Sequence, residues 1–164
     1  PPQTRGPFAL PVARPCLGCD ALRMKQKFSG ACLCGQVTYT AHGAPVIVAQ
    51  CHCNECRRLS GAGHSVGAMF AADAVTVSGA IREIEYTSAQ QSVVTKVFCP
   101  TCGSPILGKN TGSPDHVTLT LGTMDDAGDL KVGVVIFERD APHWDTLGDD
   151  VMRFATQPDW SPDP

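Results

Sequence analysis

Cysteine is the residue type in this chain that is best suited to chemistry, because nine cysteines occur in 164 residues and most of them are tightly clustered. Two clusters are pairs and the third is a triplet. The clustered residues are Cys32 and Cys34, Cys51, Cys53 and Cys56, and Cys99 and Cys102. A structural zinc ion takes four protein ligands, whereas a catalytic zinc ion takes three and keeps one open position. The two pairs and the triplet therefore predict one closed and one open zinc site.

The two pairs share a second feature, since each is followed directly by glycine, at Gly35 and Gly103. Glycine lets the backbone turn sharply and brings amide groups close to the sulfur atoms. Four thiolates at about 2.3 Å from one zinc ion complete a structural site. Such a site links the first strand region to the strand that ends at Phe98. It also adds the free energy of metal binding to the free energy of folding.

The triplet places three thiolates close together, where they repel one another unless protons or a cation neutralise them. A metal ion is the simplest answer, but its fourth ligand is open. Alternation along an extended strand turns His52 away from Cys51 and Cys53. The other candidates are Glu55, His64, Cys16 and Cys19. If no side chain fills the position, a substrate thiol binds there, is deprotonated and acts as a nucleophile.

Two arginines, Arg57 and Arg58, follow the triplet directly. A guanidinium group binds a carboxylate through two parallel hydrogen bonds, so these residues are candidates for offsetting the charge of the thiolates or for binding the carboxylate of an acidic thiol substrate. The alternative is a structural role, in which they pair with Asp or Glu side chains of the protein.

The segments that must hold these clusters are short, rich in β-branched residues and interrupted by glycine, which is typical of strands. Helical patterns occur only at 54–59, beside the triplet, and at 149–154. The sequence therefore predicts a mainly β, antiparallel domain with one or two short helices. The predicted strands are 36–40, 45–50, 63–70, 74–78, 81–87, 92–98, 117–121 and 132–138.

Chain length and composition predict one domain with its own core, because the chain has a mass of 17.3 kDa and 43% hydrophobic residues. Residues 1–23 contain repeated prolines and no sustained periodicity, and are predicted to form an extended arm. The zinc domain is predicted to span 24–156, followed by a C-terminal tail at 157–164.

Charge and hydropathy argue against two classes of partner. The net charge is -3 and the longest basic run is Arg57 and Arg58, so no face is predicted to bind nucleic acid. No apolar stretch of about 18 residues is present to span a membrane. An odd number of cysteines without a visible export signal favours reduced thiols and a cytoplasmic location.

Five motifs together resemble the glutathione-dependent formaldehyde-activating enzyme family, which includes centromere-protein-V-like proteins. They occur in the family's order, and the resemblance runs from about residue 28 to 154, which is most of the chain. The motifs are GACLCGQVTY at 30–39, CHCNECRRLSG at 51–61, FCPTCGSP at 98–105, GTMDD at 122–126 and APHW at 141–144.

The resemblance implies a β-tent zinc fold with two Zn²⁺ ions, one structural at the two cysteine pairs and one catalytic at the triplet. It also implies a carbon–sulfur lyase whose small-molecule partners are a thiol and an aldehyde, combining glutathione with formaldehyde to give S-hydroxymethylglutathione. Family members often carry Pro-x-x-His-Ile where this chain has 132–136, with Val135 in place of the histidine. Because one fold can host several functions, the alternative is a non-catalytic zinc-binding interaction module.

Overall fold

The structure, a computed structural model, describes residues 26–145 and 151–157 and consists mainly of short strands. Their lengths follow from alternating β-branched segments that end at glycine and proline turns. The strands are β1 Lys27–Ala31, β2 Thr38–His42, β3 Ile47–Cys51, β4 Ser65–Ala71, β5 Val75–Ser78, β6 Arg82–Thr87, β7 Val93–Phe98, β8 Pro105–Asn110, β9 His116–Thr120, β10 Val134–Ile136 and β11 Met152–Arg153. One α-helix, α1, spans Asn54–Ser60.

The strands form two sheets. The smaller sheet has the order β1-β2-β5 and the larger has the order β11-β10-β3-β4-β9-β8-β7-β6. Pairings are antiparallel except at one edge, where β10 pairs in parallel with both β3 and β11. The prediction of a mainly β fold with a short helix beside the triplet is confirmed, and the larger sheet is mixed rather than purely antiparallel.

The core lies between the two sheets, because alternate residues of their strands point inward. Tyr39 and Ala41 of β2 pack in the same cluster as Ala68 of β4 and Leu119 of β9. Phe28 of β1 and Phe70 of β4 add an edge-to-face ring contact with centroids 5.6 Å apart. Burial of this apolar surface holds the smaller sheet against the larger one.

The second predicted helix, at 149–154, is wrong over the residues that the structure describes. Met152–Arg153 form β11, which pairs with Val134 and Val135 of β10. Tertiary pairing therefore overrides the local helical pattern. The sequence pattern also does not predict β1 or β8. Strand β8 begins at Pro105 and contains Gly108, and both residue types weaken a strand pattern.

Two predicted segments lie largely outside the described residues. These are the N-terminal arm at 1–23, which contains Cys16 and Cys19, and all of the tail except residue 157. Across 26–145 and 151–157, no helix is both long enough and apolar enough to cross a membrane.

Candidate functional site

Two loops of matching geometry carry the two cysteine pairs. In each loop the amide of the first cysteine donates to a carbonyl oxygen further along, from Cys32 to Val37 at 2.9 Å and from Cys99 to Ser104 at 3.0 Å. The glycine after each pair has a positive φ, 75° at Gly35 and 76° at Gly103. These left-handed turns explain why glycine follows each pair, since other residues adopt this conformation at a cost.

The four sulfur atoms of the pairs converge on one point. All four lie within 4.8 Å of one another. Cys34 Sγ is 3.4 Å from Cys32 Sγ and 3.7 Å from Cys99 Sγ. A zinc ion bound by four thiolates at about 2.3 Å separates their sulfur atoms by about 3.8 Å, whereas a disulfide bond is about 2.05 Å long. The spacing therefore fits a closed zinc site and excludes disulfides at these contacts.

The four cysteines of the two pairs, called the quartet below, lie where the two sheets meet. They are Cys32, Cys34, Cys99 and Cys102. One pair lies between β1 and β2 of the smaller sheet, and the other lies between β7 and β8 of the larger sheet. Cys32 and Cys99 are buried in the core, whereas Cys34 is exposed. The register of β7 and β8 shifts between Val97 and Phe98, directly before the second loop. A metal ion here would join the two sheets at one end.

Ser104 supports both loops of the quartet. Its hydroxyl lies 3.3 Å from Cys102 Sγ and accepts a hydrogen bond from the Leu33 amide at 3.0 Å. Hydrogen bonds from the hydroxyl and amide of Ser104 lower the pKa of Cys102 to about 5. At neutral pH this residue is therefore available as a thiolate, which is the form that binds metal.

The triplet lies where β3 passes into α1. Cys51 ends β3, Cys53 is the residue that caps the N-terminus of α1, and Cys56 is buried within the helix. The Cys56 amide donates to Cys53 Sγ at 3.4 Å. The three sulfur atoms lie within 4.8 Å of one another. The strand and the cap thus bring three thiols together over only six residues.

Ionisation within the triplet is strongly uneven. Hydrogen bonds from the Cys51 and Cys53 thiols lower the pKa of Cys56 to about 2, and the positive charge of Lys96 and the Ser65 hydroxyl act in the same direction. The pKa of Cys51 is raised, because its thiol donates to Cys53 and Cys56 and is buried. Protons on Cys51 and Cys53 therefore favour a negative charge on Cys56. A divalent cation would replace those protons and stabilise all three thiolates.

No fourth ligand from the protein joins the triplet within 26–145 and 151–157. His52 and His64 form a separate cluster with Asp145, and Glu55 belongs to neither group. His52 is therefore turned away from the flanking cysteines, as strand alternation indicated. Cys16 and Cys19, the remaining candidates, lie outside the described residues.

Hydrogen bonds hold the side chains of His52, His64 and Asp145 in place. His52 is fully buried, and its Nδ1 donates to the Gly63 carbonyl at 2.9 Å while its Nε2 accepts from the Gln50 amide at 3.1 Å. His64 Nδ1 is 2.6 Å from Asp145 Oδ2. Two ligands of one metal ion, each bound at about 2.0–2.2 Å, are about 2.8 Å or more apart. The shorter contact fits a direct hydrogen bond rather than a metal site.

Replacing His52 with leucine should destabilise the protein by about 2–4 kcal/mol, because the change leaves the Gly63 carbonyl and the Gln50 amide buried without partners. Urea unfolding of H52L measures this loss. The control is His42→Leu, at an exposed position that ends β2, where a change of less than about 0.5 kcal/mol is expected. Equal stability of H52L and the unmodified protein would contradict the stabilising role of the His52 hydrogen bonds.

The two predicted arginines have different surroundings. Arg58 is exposed, and its Nε donates to Asn54 Oδ1 at 3.0 Å on the same helix. Arg57 is partly buried, and its Nε is a buried donor that has no hydrogen-bond partner among residues 26–145 and 151–157. A buried donor of this kind is costly unless a ligand or water satisfies it. Arg57 is therefore the better placed of the two to bind an anion.

Three further residues near the sites do not stand out in the sequence. Ser65 is opposite Cys51 in the pairing of β3 with β4, Lys96 lies on β7, and Asp145 follows β10 in a loop. A hairpin register assigned to 47–71 would have placed Ser65 beside Cys51. Lys96 and Asp145 depend on long-range sheet order, which no local pattern predicts.

Comparison with known proteins assigns the chain to a family. The family model described as glutathione-dependent formaldehyde-activating enzyme matches residues 27–140. No match is found among curated proteins. A crystal structure of a Rhodobacter sphaeroides protein is similar with 19% sequence identity and a TM-score of 0.47, covering 63% of this chain and 96% of that one. Since the family model spans well over half of the sequence, the chain belongs to the glutathione-dependent formaldehyde-activating enzyme family.

Proposed function

We propose that the protein is a zinc-dependent carbon–sulfur lyase that joins the sulfur of glutathione to formaldehyde, giving S-hydroxymethylglutathione. The observation that carries this proposal is the cysteine triplet, in which three sulfur atoms converge and no fourth protein ligand joins them within the described residues. Family membership supports the same reaction class.

The two groups of cysteine thiols fit two zinc ions with different roles, one structural and one catalytic. Four thiols from two sheets form the closed set, which suits a structural ion. The triplet provides three thiols, which suits an ion that keeps a position for substrate. Thiolates prefer soft or borderline metals, so zinc is a better match than magnesium or calcium. We assign Cys32, Cys34, Cys99 and Cys102 to the first ion and Cys51, Cys53 and Cys56 to the second.

The reaction needs a thiolate at neutral pH. A zinc ion held by the triplet would lower the pKa of a bound thiol and so supply this nucleophile. The sulfur then forms a bond to the aldehyde carbon as the carbonyl π electrons move to oxygen. The proton released by the thiol balances the proton taken up by that oxygen, so no further reactant is required. The reverse sequence breaks the same carbon–sulfur bond.

Arg57 is proposed to bind a carboxylate of glutathione. Arg57 directly follows Cys56 in the sequence, and its buried Nε has no hydrogen-bond partner among the residues that the structure describes. An anionic group bound there would gain a charge-assisted hydrogen bond. Arg58, which is exposed and contacts Asn54, is proposed only as a secondary contact at the rim of the site.

Exchange NMR on glutathione and formaldehyde tests the proposed reaction directly. With zinc-loaded protein, the exchange rate between free glutathione and its hydroxymethyl adduct should exceed the spontaneous rate and rise in proportion to protein concentration. The matched control is protein treated with a chelator, which should show the spontaneous rate alone. If the zinc-loaded protein also shows only that rate, the reaction is excluded, and the non-catalytic zinc module becomes the better interpretation.

A further inference from the structure

One face of the larger sheet carries a lysine that the proposed reaction does not yet use. The pairing register connects Cys51 to Ser65 across β3 and β4. Because side chains alternate along a strand, Ser65 and Met69 of β4 share a face. Met69 pairs with Thr118 of β9, Thr118 with Gly108 of β8, and Gly108 with Lys96 of β7. Lys96 therefore lies on the same face of the sheet as Cys51.

The side chain of Lys96 leans across the sheet toward the triplet. A Cβ atom at position 108 would lie 3.0 Å from Lys96 Nζ and 3.3 Å from its Cδ. Glycine at 108 therefore leaves room for the ammonium group to lie over β8. Only β9 separates β8 from β4, so about 10 Å of sheet lies between Gly108 and Met69. Ser65, which pairs with Cys51, lies four residues or about 13 Å farther along β4, where α1 packs.

The ammonium group of Lys96 has no carboxylate partner within the part of the chain that the structure describes. Five ion pairs occur there, and none includes Lys96. The nearby acids of β6 are on the opposite face, where Glu83 pairs with Lys109 at 3.0 Å and Glu85 accepts from Thr95 at 3.1 Å. A partly buried cation without an acidic partner is suited to bind an anionic ligand.

We propose that Lys96 selects thiols that carry a carboxylate several bonds away from the sulfur, by pairing with that carboxylate while the sulfur is at the triplet. This proposal rests on the proposed function, because it takes the triplet as the thiol site. Arg57 lies beside the triplet on α1, whereas Lys96 lies farther along the sheet. The two cations would therefore receive groups at different distances from the sulfur, as in a short acidic peptide such as glutathione.

A different role for Lys96 would be general electrostatic support of the thiolates. Its positive charge favours the thiolate of Cys56, which lowers the pKa of that residue. Such support would act on every thiol substrate equally, whether or not the substrate is charged. Substrate charge therefore separates the two roles.

Isothermal titration calorimetry of zinc-loaded protein with glutathione and with its diethyl ester tests the proposal. Lys96→Gln should weaken glutathione binding about tenfold and leave ester binding within about twofold, because only glutathione presents free carboxylates. Lys96→Arg should restore most of the affinity for glutathione. Lys109→Gln, on the opposite face and paired with Glu83, is the matched control and should bind both ligands as the unmodified protein does.

The outcomes distinguish this proposal from the proposed function. If the protein accelerates the exchange reaction but K96Q weakens glutathione and its ester equally, the selective role of Lys96 is overturned and the reaction stands. If K96Q discriminates between the ligands although no acceleration occurs, the carboxylate-binding role stands and the lyase reaction fails. If the unmodified protein binds neither ligand, both proposals are wrong.

Discussion

A Cys34→Ser variant should unfold far more easily than the unmodified protein, with a loss of at least about 3 kcal/mol in the free energy of unfolding. Cys34 is exposed, so replacing sulfur by oxygen there removes no buried apolar contact. A large effect can arise only if its sulfur binds the metal that joins the two sheets. Urea unfolding measures the loss, and metal analysis should show bound zinc falling from two ions to one per chain.

Leu33 provides a close control for this prediction. It is the neighbouring residue in the same loop, it is 88% exposed, and it offers no metal ligand. Leu33→Ser should therefore keep both zinc ions and lose less than about 0.5 kcal/mol. A chelator should lower the stability of the unmodified protein and of L33S by similar amounts. Equal stability and equal zinc content in C34S and L33S would rule out a structural ion at the quartet.

The cysteine clusters show how much of this protein can be predicted from local sequence. Short spacings and a following glycine indicated the turns at Cys32 and Cys99, and the structure has both with positive φ at the glycines. The local helical pattern beside the triplet also predicts the short helix after Cys53. These features depend on residues within a few positions of one another, so the sequence contains the information directly.

The features that could not be predicted depend on contacts between distant segments. β11 has a local helical pattern but pairs with β10, and β10 pairs in parallel with β3. Lys96 joins the face of Cys51 only through the register of five strands. The His64–Asp145 contact likewise joins residues 81 positions apart. Pairings of this kind are decided by the packing of the whole sheet rather than by any short pattern.

A Cys53→Ser variant should reduce the catalysed exchange between glutathione and its hydroxymethyl adduct by at least about 100-fold while leaving the fold intact. Cys53 caps the N-terminus of α1, where its side chain accepts a hydrogen bond from the Cys56 amide. Serine is among the best residues at such a position, so the helix keeps its cap. The change thus removes a thiolate from the triplet without removing the local structure that the thiol supports.

Glu55→Gln is the matched control, since Glu55 is exposed, lies between two of the cysteines, and belongs to neither metal-type cluster. E55Q should retain two zinc ions and the exchange rate of the unmodified protein. C53S should retain one zinc ion and an unchanged circular dichroism spectrum. When both proteins are measured after chelator treatment, its free energy of unfolding should lie within about 1 kcal/mol of that of the unmodified protein. Catalysis by C53S at the rate of E55Q would contradict the assignment, because a three-thiolate site cannot lose a ligand without changing the reactivity of the thiol bound there.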